Sequence, residues 1–399
     1  MNDFEDKMNS AGTLPEPDDD ARQVSEALLQ SILQRIRQQG PMRFADYMNM
    51  ALYQPGQGYY VSGAQKFGRG GDFITAPEVS PLFGHCVGRF CQSVLSKLES
   101  AGVLEFGAGS GLLAADILTE LERLHALHEQ YLIVEISPSL QQRQQQTLQD
   151  KVPHLLDRVQ WLQTLPAQFS GVIVANEVLD AMPVNRFSIA DDVVQEWMVD
   201  CSAEGQLHMT QQAAGEKLTQ AVRHIEQYTD RVLPDGYVSE VCLAQAAWLE
   251  AVQAILQQGV ILLIDYGYGR NEYYHPERSM GTFMCYYRHR AHDDAFWYPG
   301  LEDMTAYVDF TRIAEVAVEH GLDVGGYAAQ AGFLLENGLD SMAPDPETTD
   351  TPAMLQFAQQ VKTLTLPSEM GERFKVMVLS REYDEALPGF YLQDQIRRL

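Results

Sequence analysis

Basic residues are scarce in this 399-residue chain: 28 Lys and Arg stand against 55 Asp and Glu, a formal charge of −27. Proteins that grip nucleic acid neutralise phosphates with Lys and Arg and release counterions, so no nucleic-acid partner is expected. An anionic lipid surface is disfavoured for the same reason. Long apolar runs are also missing. Stretches such as 260–264 are far below the ~18 residues a spanning helix needs, so no membrane insertion is expected. The five cysteines, Cys86, Cys91, Cys201, Cys242 and Cys285, form no C-x-x-C pair and are odd in number. Neither a disulfide framework nor a zinc ribbon follows, and a reducing compartment is the simplest setting. The N-terminus carries Asp3, Glu5, Asp6, Asp18, Asp19 and Asp20, with neither the arginines of a transit peptide nor the apolar core of a signal peptide. That pattern predicts a cytoplasmic location.

What is present is enough apolar sequence, 45%, for two or three domains with a sizeable core. Residues 1–22, with Pro15, Pro17 and the acidic triplet, read as a disordered acidic tail. An N-terminal cap over 23–100 follows. It opens with a helix carrying Leu28, Leu29, Ile32, Leu33 and Ile36 and stopped at Gly40-Pro41. A loop rich in Gly and Tyr comes next, and then a long helical pattern introduced by Thr75 and Pro77 with an apolar stripe from Leu82 to Leu98. Beyond it, short apolar runs at 103–106, 131–136, 159–162, 172–175, 260–265 and 374–380 alternate with helices. This is the signature of an α/β fold whose parallel sheet is covered on both faces. The gap of about 80 residues between the fourth and fifth runs is too long for one crossover, so it holds an insertion. Alternation at 193–199 and near Leu207 and Met209 predicts a hairpin there, and Leu218, Val222 and Ile225 predict a helix. The Gln-rich segment 141–149 reads as an exposed helix face.

The strongest chemical signal is Glu105-Phe106-Gly107-Ala108-Gly109-Ser110-Gly111, between a strand pattern and a helix pattern. Glycines there let backbone and ligand approach closely. The spacing G-x-G-x-G differs from the dinucleotide fingerprint G-x-G-x-x-G, no P-loop Lys-Ser/Thr follows, and no nucleophile elbow is present. A turn of this kind is typical of S-adenosylmethionine (SAM) sites, where an amino-acid moiety takes the place of a pyrophosphate. Glu135, ending the next strand pattern beside Ile136, can accept hydrogen bonds from two ribose hydroxyls.

The run 172–175 leads directly into Asn176-Glu177-Val178-Leu179-Asp180. In open parallel sheets the ligand crevice lies at the carboxyl ends of strands, so these side chains are candidates for the reacting centre. Two readings stand: Asn176 or Glu177 caps a helix, or Glu177 and Asp180 act on a substrate. A guanidinium is protonated near neutrality. Its methylation needs carboxylates that orient it and concentrate charge on the attacking nitrogen, with a carboxylate or water taking the proton.

These motifs resemble the MidA family, bacterial relatives of the mitochondrial complex I assembly arginine methyltransferase. The resemblance runs from about residue 23 to 381 and rests on GRGGDFITAPEVSPLFG (68–84), EFGAGSG (105–111), ANEVLDAMPV (175–184) and DYGYG (265–269). GTFMCYYRHRAHDD (281–294), PGLEDMTAYVDF (299–310) and FKVMVLS (374–380) add to it. It implies a Rossmann-like seven-stranded class I SAM-dependent methyltransferase with an N-terminal helical cap and an inserted substrate-recognition subdomain. The implied boundaries are 101–182 and 259–385 for the two halves of the SAM domain, 183–258 for the insertion, 267–302 for an acceptor loop and 386–399 for a C-terminal tail. SAM would be held by Glu105, Gly107, Ala108, Gly109, Gly111, Glu135, Ile136 and Asn176, with Gly71, Asp72 and Thr75 closing over it. Glu177 and Asp180 would be catalytic, facing an arginine of a protein substrate such as a respiratory complex subunit.

Other constellations are weaker. His289 and His292 near Asp293 and Asp294 lack a third defined metal ligand, and transfer from a sulfonium needs no metal, so no metal site is expected. Tyr59, Tyr60, Tyr266, Tyr268, Tyr286 and Tyr287 could face a cation, but core packing suffices for most. An assembly chaperone with a SAM site, a methyltransferase with a small-molecule acceptor, and a homodimer all stay open at this level.

Overall fold

The computed structural model describes residues 14–62, 75–128, 130–345 and 349–399. They divide into two compact units, one built from 75–179, 246–269 and 308–399, the other from 14–62, 180–245 and 270–307.

The first unit is organised by β1 (Gly102–Phe106), β2 (Tyr131–Val134), β3 (Val159–Leu162), β4 (Phe169–Asn176), β5 (Leu256–Tyr268), β6 (Asp323–Ala329) and β7 (Phe374–Arg381). These stand side by side in the order β6-β7-β5-β4-β1-β2-β3. Strands β3, β2, β1, β4 and β5 run parallel, and β7 is antiparallel to both β5 and β6. A short strand at Val308–Asp309 adds to the end of β5. The central runs 172–174 and 260–264 are wholly buried, as strands covered on both faces must be. The Leu82–Leu95 part of the apolar stripe joins Val103, Val172 and Val174 in the same core, carried by a helix over Pro81–Leu95.

Strand β6 has no apolar run to announce it, because Gly325 and Gly326 interrupt it. Their smallness is the reason it fits. A Cβ on Gly326 would sit 2.3 Å from the Phe390 ring, so the glycine lets that aromatic side chain lie directly on the strand.

Several boundaries differ from the sequence expectation. The acidic tail does not extend to 22. Asp18 caps a helix at Asp19–Gln39, its side chain accepting the Ala21 N–H, and Asp19 and Asp20 favour the positive helix start. The cap does not extend to 100, since the Pro81–Leu95 helix buries its stripe in the sheet unit. The helical pattern after Thr75 is two helices, Ala76–Val79 and Pro81–Leu95, because Ser80 is extended and caps the second. The insertion unit spans 180–245, and the acceptor segment 270–307 belongs to it. Residues 386–399 are not a free tail, for Leu387 and Phe390 are buried in the sheet core.

The second unit holds the expected hairpin, Val193–Cys201 with Leu207–Ala213, joined by Asn185–Ala190, Val238–Val241 and Met42–Arg43. The expected helix is there too, at Glu216–Thr229. A smaller three-stranded sheet comprises Met284–Tyr287, Arg290–His292 and Asp303–Thr305. Leu28 and Ile32 of the first helix, Phe44 and Tyr47 of the second, Val199, Phe283 and Met304 share one core. Three distant stretches of chain therefore form one unit.

Candidate active site

In the sheet unit, Phe106 of β1 pairs with Ala175 of β4 on one side and Val134 of β2 on the other. That register sets the glycine turn, Glu135 and Asn176 next to one another at the carboxyl ends of adjacent strands. Gly107, Gly109 and Gly111 all have left-handed backbones, with φ of 58°, 51° and 85°, a conformation costly for residues with a Cβ. Gly111 also starts the helix Leu112–Arg123, and a Cβ there would lie 3.0 Å from the Gln144 Cα. Ala108 is buried, and its carbonyl accepts the Gly111 N–H at 2.7 Å.

Glu135 lies just past β2 with its carboxylate buried. Its Oε1 accepts the Ser137 N–H at 2.9 Å and its Oε2 accepts from Gln144 Nε2 at 3.0 Å. Gln144 also donates to the Gly109 carbonyl at 3.2 Å and accepts from Trp161 Nε1 at 2.9 Å. One fully buried amide thus ties the acidic residue to the glycine turn. This corrects the reading of 141–149 as a wholly exposed face, since Gln144, like Leu148, points inward. Composition hid it, because one buried glutamine among several exposed ones leaves the segment polar. Ile136 is 61% exposed, an apolar surface beside the carboxylate.

Glu105, grouped with the cofactor residues in the sequence, is buried within β1, where the Tyr131 hydroxyl donates to its Oε2 at 2.6 Å. Burial raises its pKa to about 7, against the opposing effect of that hydrogen bond. Thr75 occupies the start of the Ala76–Val79 helix. That helix is fastened to the glycine turn by Glu78, whose Oε1 accepts from the Ser110 hydroxyl at 2.6 Å. Gly71 and Asp72 lie outside the described residues.

No helix begins at Asn176 or Glu177, so the capping role falls away: 177–182 is a turn. Glu177 has φ 52°, a left-handed conformation uncommon for a residue with a long side chain. Its N–H donates to the Ile264 carbonyl at 2.9 Å, and Asn176 Nδ2 donates to its Oε1 at 3.1 Å. Buried Asp265, from DYGYG, anchors the same turn by accepting the Leu179 N–H at 2.9 Å. A Cβ on Gly107 would touch Val178 at 3.4 Å, so this turn borders the glycine turn. Asn176 Oδ1 is buried and has no hydrogen-bond partner among the described residues, leaving an acceptor that a bound ligand's N–H would satisfy. Left-handed glycines, a paired carboxylate, an exposed apolar side chain and this acceptor together fit an adenosyl amino acid.

Asp180 falls in the other unit and is buried there. The Thr305 hydroxyl donates to its Oδ2 at 2.9 Å and its carbonyl accepts the Ala306 N–H at 3.1 Å. Burial lifts its pKa to about 6 although the Thr305 bond opposes it. In the same unit Tyr60 stacks on Tyr53 with ring centroids 5.5 Å apart and donates to Asp303 at 2.8 Å. Tyr59 is buried.

A largely parallel sheet with a glycine turn, a buried carboxylate and an acidic turn at adjacent strand ends fits a transferase of the SAM-dependent kind. The comparisons agree. Residues 86–328 match the model of a family of S-adenosyl-L-methionine-dependent methyltransferases, and the chain belongs to that family. A COG1565 superfamily member from Burkholderia thailandensis, crystallised with S-adenosyl-homocysteine, superposes with a TM-score of 0.92 at 42% identity, over 97% of this chain and 100% of that one. Among curated proteins, the mitochondrial protein arginine methyltransferase NDUFAF7 of Danio rerio is 28% identical over 384 residues, 88% of this chain and 86% of the relative. Its Drosophila melanogaster homologue is 29% identical over 94% of this chain and 89% of its own length. The protein is a SAM-dependent methyltransferase and SAM is its cofactor. The predicted cytoplasmic location is overturned, since these curated relatives are mitochondrial proteins. The charge of a terminal segment is therefore no guide to location in this case.

Proposed function

We propose that the protein methylates the side chain of an arginine in a partner protein, with a respiratory complex subunit as the first acceptor to try. Bound at the glycine turn, SAM supplies a methyl group on a sulfonium. Its C–S bond breaks as the guanidinium nitrogen forms the new N–C bond, and S-adenosyl-homocysteine leaves as a neutral thioether. The role of Glu177 is to accept hydrogen bonds from the guanidinium, turn one nitrogen toward the methyl group and concentrate electron density on it. The proton shed after transfer passes to a carboxylate or water. Asp180, the other carboxylate read as catalytic from the sequence, is held in its own unit by the buried bond from the Thr305 hydroxyl. Thr75, at the start of the helix bonded to the glycine turn through Glu78, is the residue proposed to close over the cofactor. The names of the curated relatives support the arginine acceptor.

The observation that carries the reading is the left-handed Glu177, a strained carboxylate held at the end of β4 beside the glycine turn. Purified protein, SAM with a labelled methyl group and a lysate of its own organism test it. Wild type should label a polypeptide on arginine, and Glu177→Gln should lower the rate about 10²–10³-fold while binding SAM normally. Label on a small molecule, or none with SAM binding intact, overturns the arginine acceptor.

A further inference from the structure

Three donors that the sequence does not group lie together in the unit containing 270–307. Cys285 and His292 are directly opposite in the antiparallel pair Met284–Tyr287 with Arg290–His292. Cys285 is also opposite Met304 on the other neighbouring strand, Asp303–Thr305, which Glu302 immediately precedes. The Cys285 Sγ, a nitrogen of His292 and a carboxylate oxygen of Glu302 all lie within 4.8 Å of one another. His292 Nε2 is 3.1 Å from Glu302 Oε2. Sequence spacing had associated His292 with His289, Asp293 and Asp294, whereas the strand register joins it to Cys285 and Glu302.

We infer that Cys285, His292 and Glu302 form a zinc site that clips together the three-stranded sheet. Thiolate, imidazole and carboxylate are the donor types zinc takes, and bonds of about 2.0–2.3 Å place tetrahedral donors roughly 3.3–3.8 Å apart. The three donor atoms, within 4.8 Å of one another, lie close to that spacing. Cys285 and Glu302 have no solvent exposure. One Zn²⁺ with one thiolate, one carboxylate and a neutral imidazole is electrically neutral, so the whole set can be buried together. The three protein donors leave the fourth position to water.

The hairpin itself gives the clip a purpose. Its two turn residues, Arg288 and His289, have φ of 46° and 62°. Such turns normally use Asn-Gly or Asp-Gly, so holding this one costs conformational energy that a cross-strand bridge offsets.

The test reads metal and not methyl transfer, so its failure is separate from any failure of the proposed function. Elemental mass spectrometry of the dialysed full chain should find one zinc per chain. Cobalt substitution should give the near-ultraviolet thiolate-to-cobalt band, and chelation should lower the melting temperature. Cys285→Ser should lose the band and most of the zinc. Wild type that holds no zinc and gives no thiolate band on cobalt titration overturns the site, and so does full zinc retention in Cys285→Ser. Should that variant not fold, the wild-type cobalt spectrum decides alone.

Discussion

The two units are put together in opposite ways. In the sheet unit the residues proposed to hold the cofactor come from short contiguous motifs, each at the end of a strand: 107–111 after β1, 135–136 after β2 and Asn176 closing β4. In the other unit Asp180 meets Thr305 and Tyr60 meets Asp303 from separated stretches of chain, and Cys285 meets His292 and Glu302 across neighbouring strands. A site made mainly from backbone conformation leaves glycines at fixed spacing, whereas one made from side chains across strands leaves no local pattern.

Substitutions can break or sharpen that contrast. The largest effect should come from Phe390→Ala, at a position the sequence assigned to a C-terminal tail. Its ring lies on β6 against Gly326, and truncation should cost about 3–5 kcal/mol in denaturant unfolding. A negligible loss would restore the tail. Glu135→Gln should weaken SAM binding about 10–100-fold by calorimetry, because hydrogen bonds to a charged group are the strong ones. Unchanged affinity would detach the carboxylate from the cofactor.

Glu105→Gln separates a structural acid from a binding one through pH. The folded pKa, about 7, is raised above the usual carboxylate value, so the native state favours the protonated form. Stability from this group is complete below the unfolded pKa and is lost as pH rises through about 7. The variant should therefore match wild type near pH 4 and exceed it by roughly 1–2 kcal/mol at pH 8 in thermal melts. A large loss of SAM affinity would return Glu105 to the cofactor set. Smallest is Thr305→Val, which removes one donor from Asp180 and should cost about 1 kcal/mol while leaving SAM affinity unchanged.

Legibility followed the same division. Six of the seven principal strands showed as apolar runs, the central ones because strands buried on both faces must be continuously apolar, while the edge strand β3 is only partly buried. Strand β6 escaped because its glycines serve Phe390, some sixty residues away in sequence. The glycine turn and Glu135 were visible as motifs. Gln144, which ties them together, was not, for its burial depends on which side of the helix Pro138–Lys151 meets the glycine turn. Asn176 and Glu177 offered a helix cap from the sequence. The left-handed backbone at 177 and the Asp265 anchor make the segment a turn instead.

By itself the sequence determined the class of fold and the cofactor, since hydrophobic periodicity and glycine spacing are local and each residue's requirement is written at its own position. Only the tertiary structure decided that Glu105 is a buried acid, that Gln144 orients Glu135, that Asp180 lies on Thr305 and that Cys285, His292 and Glu302 converge. Those arrangements depend on strand register and burial, which arise when distant segments pack together.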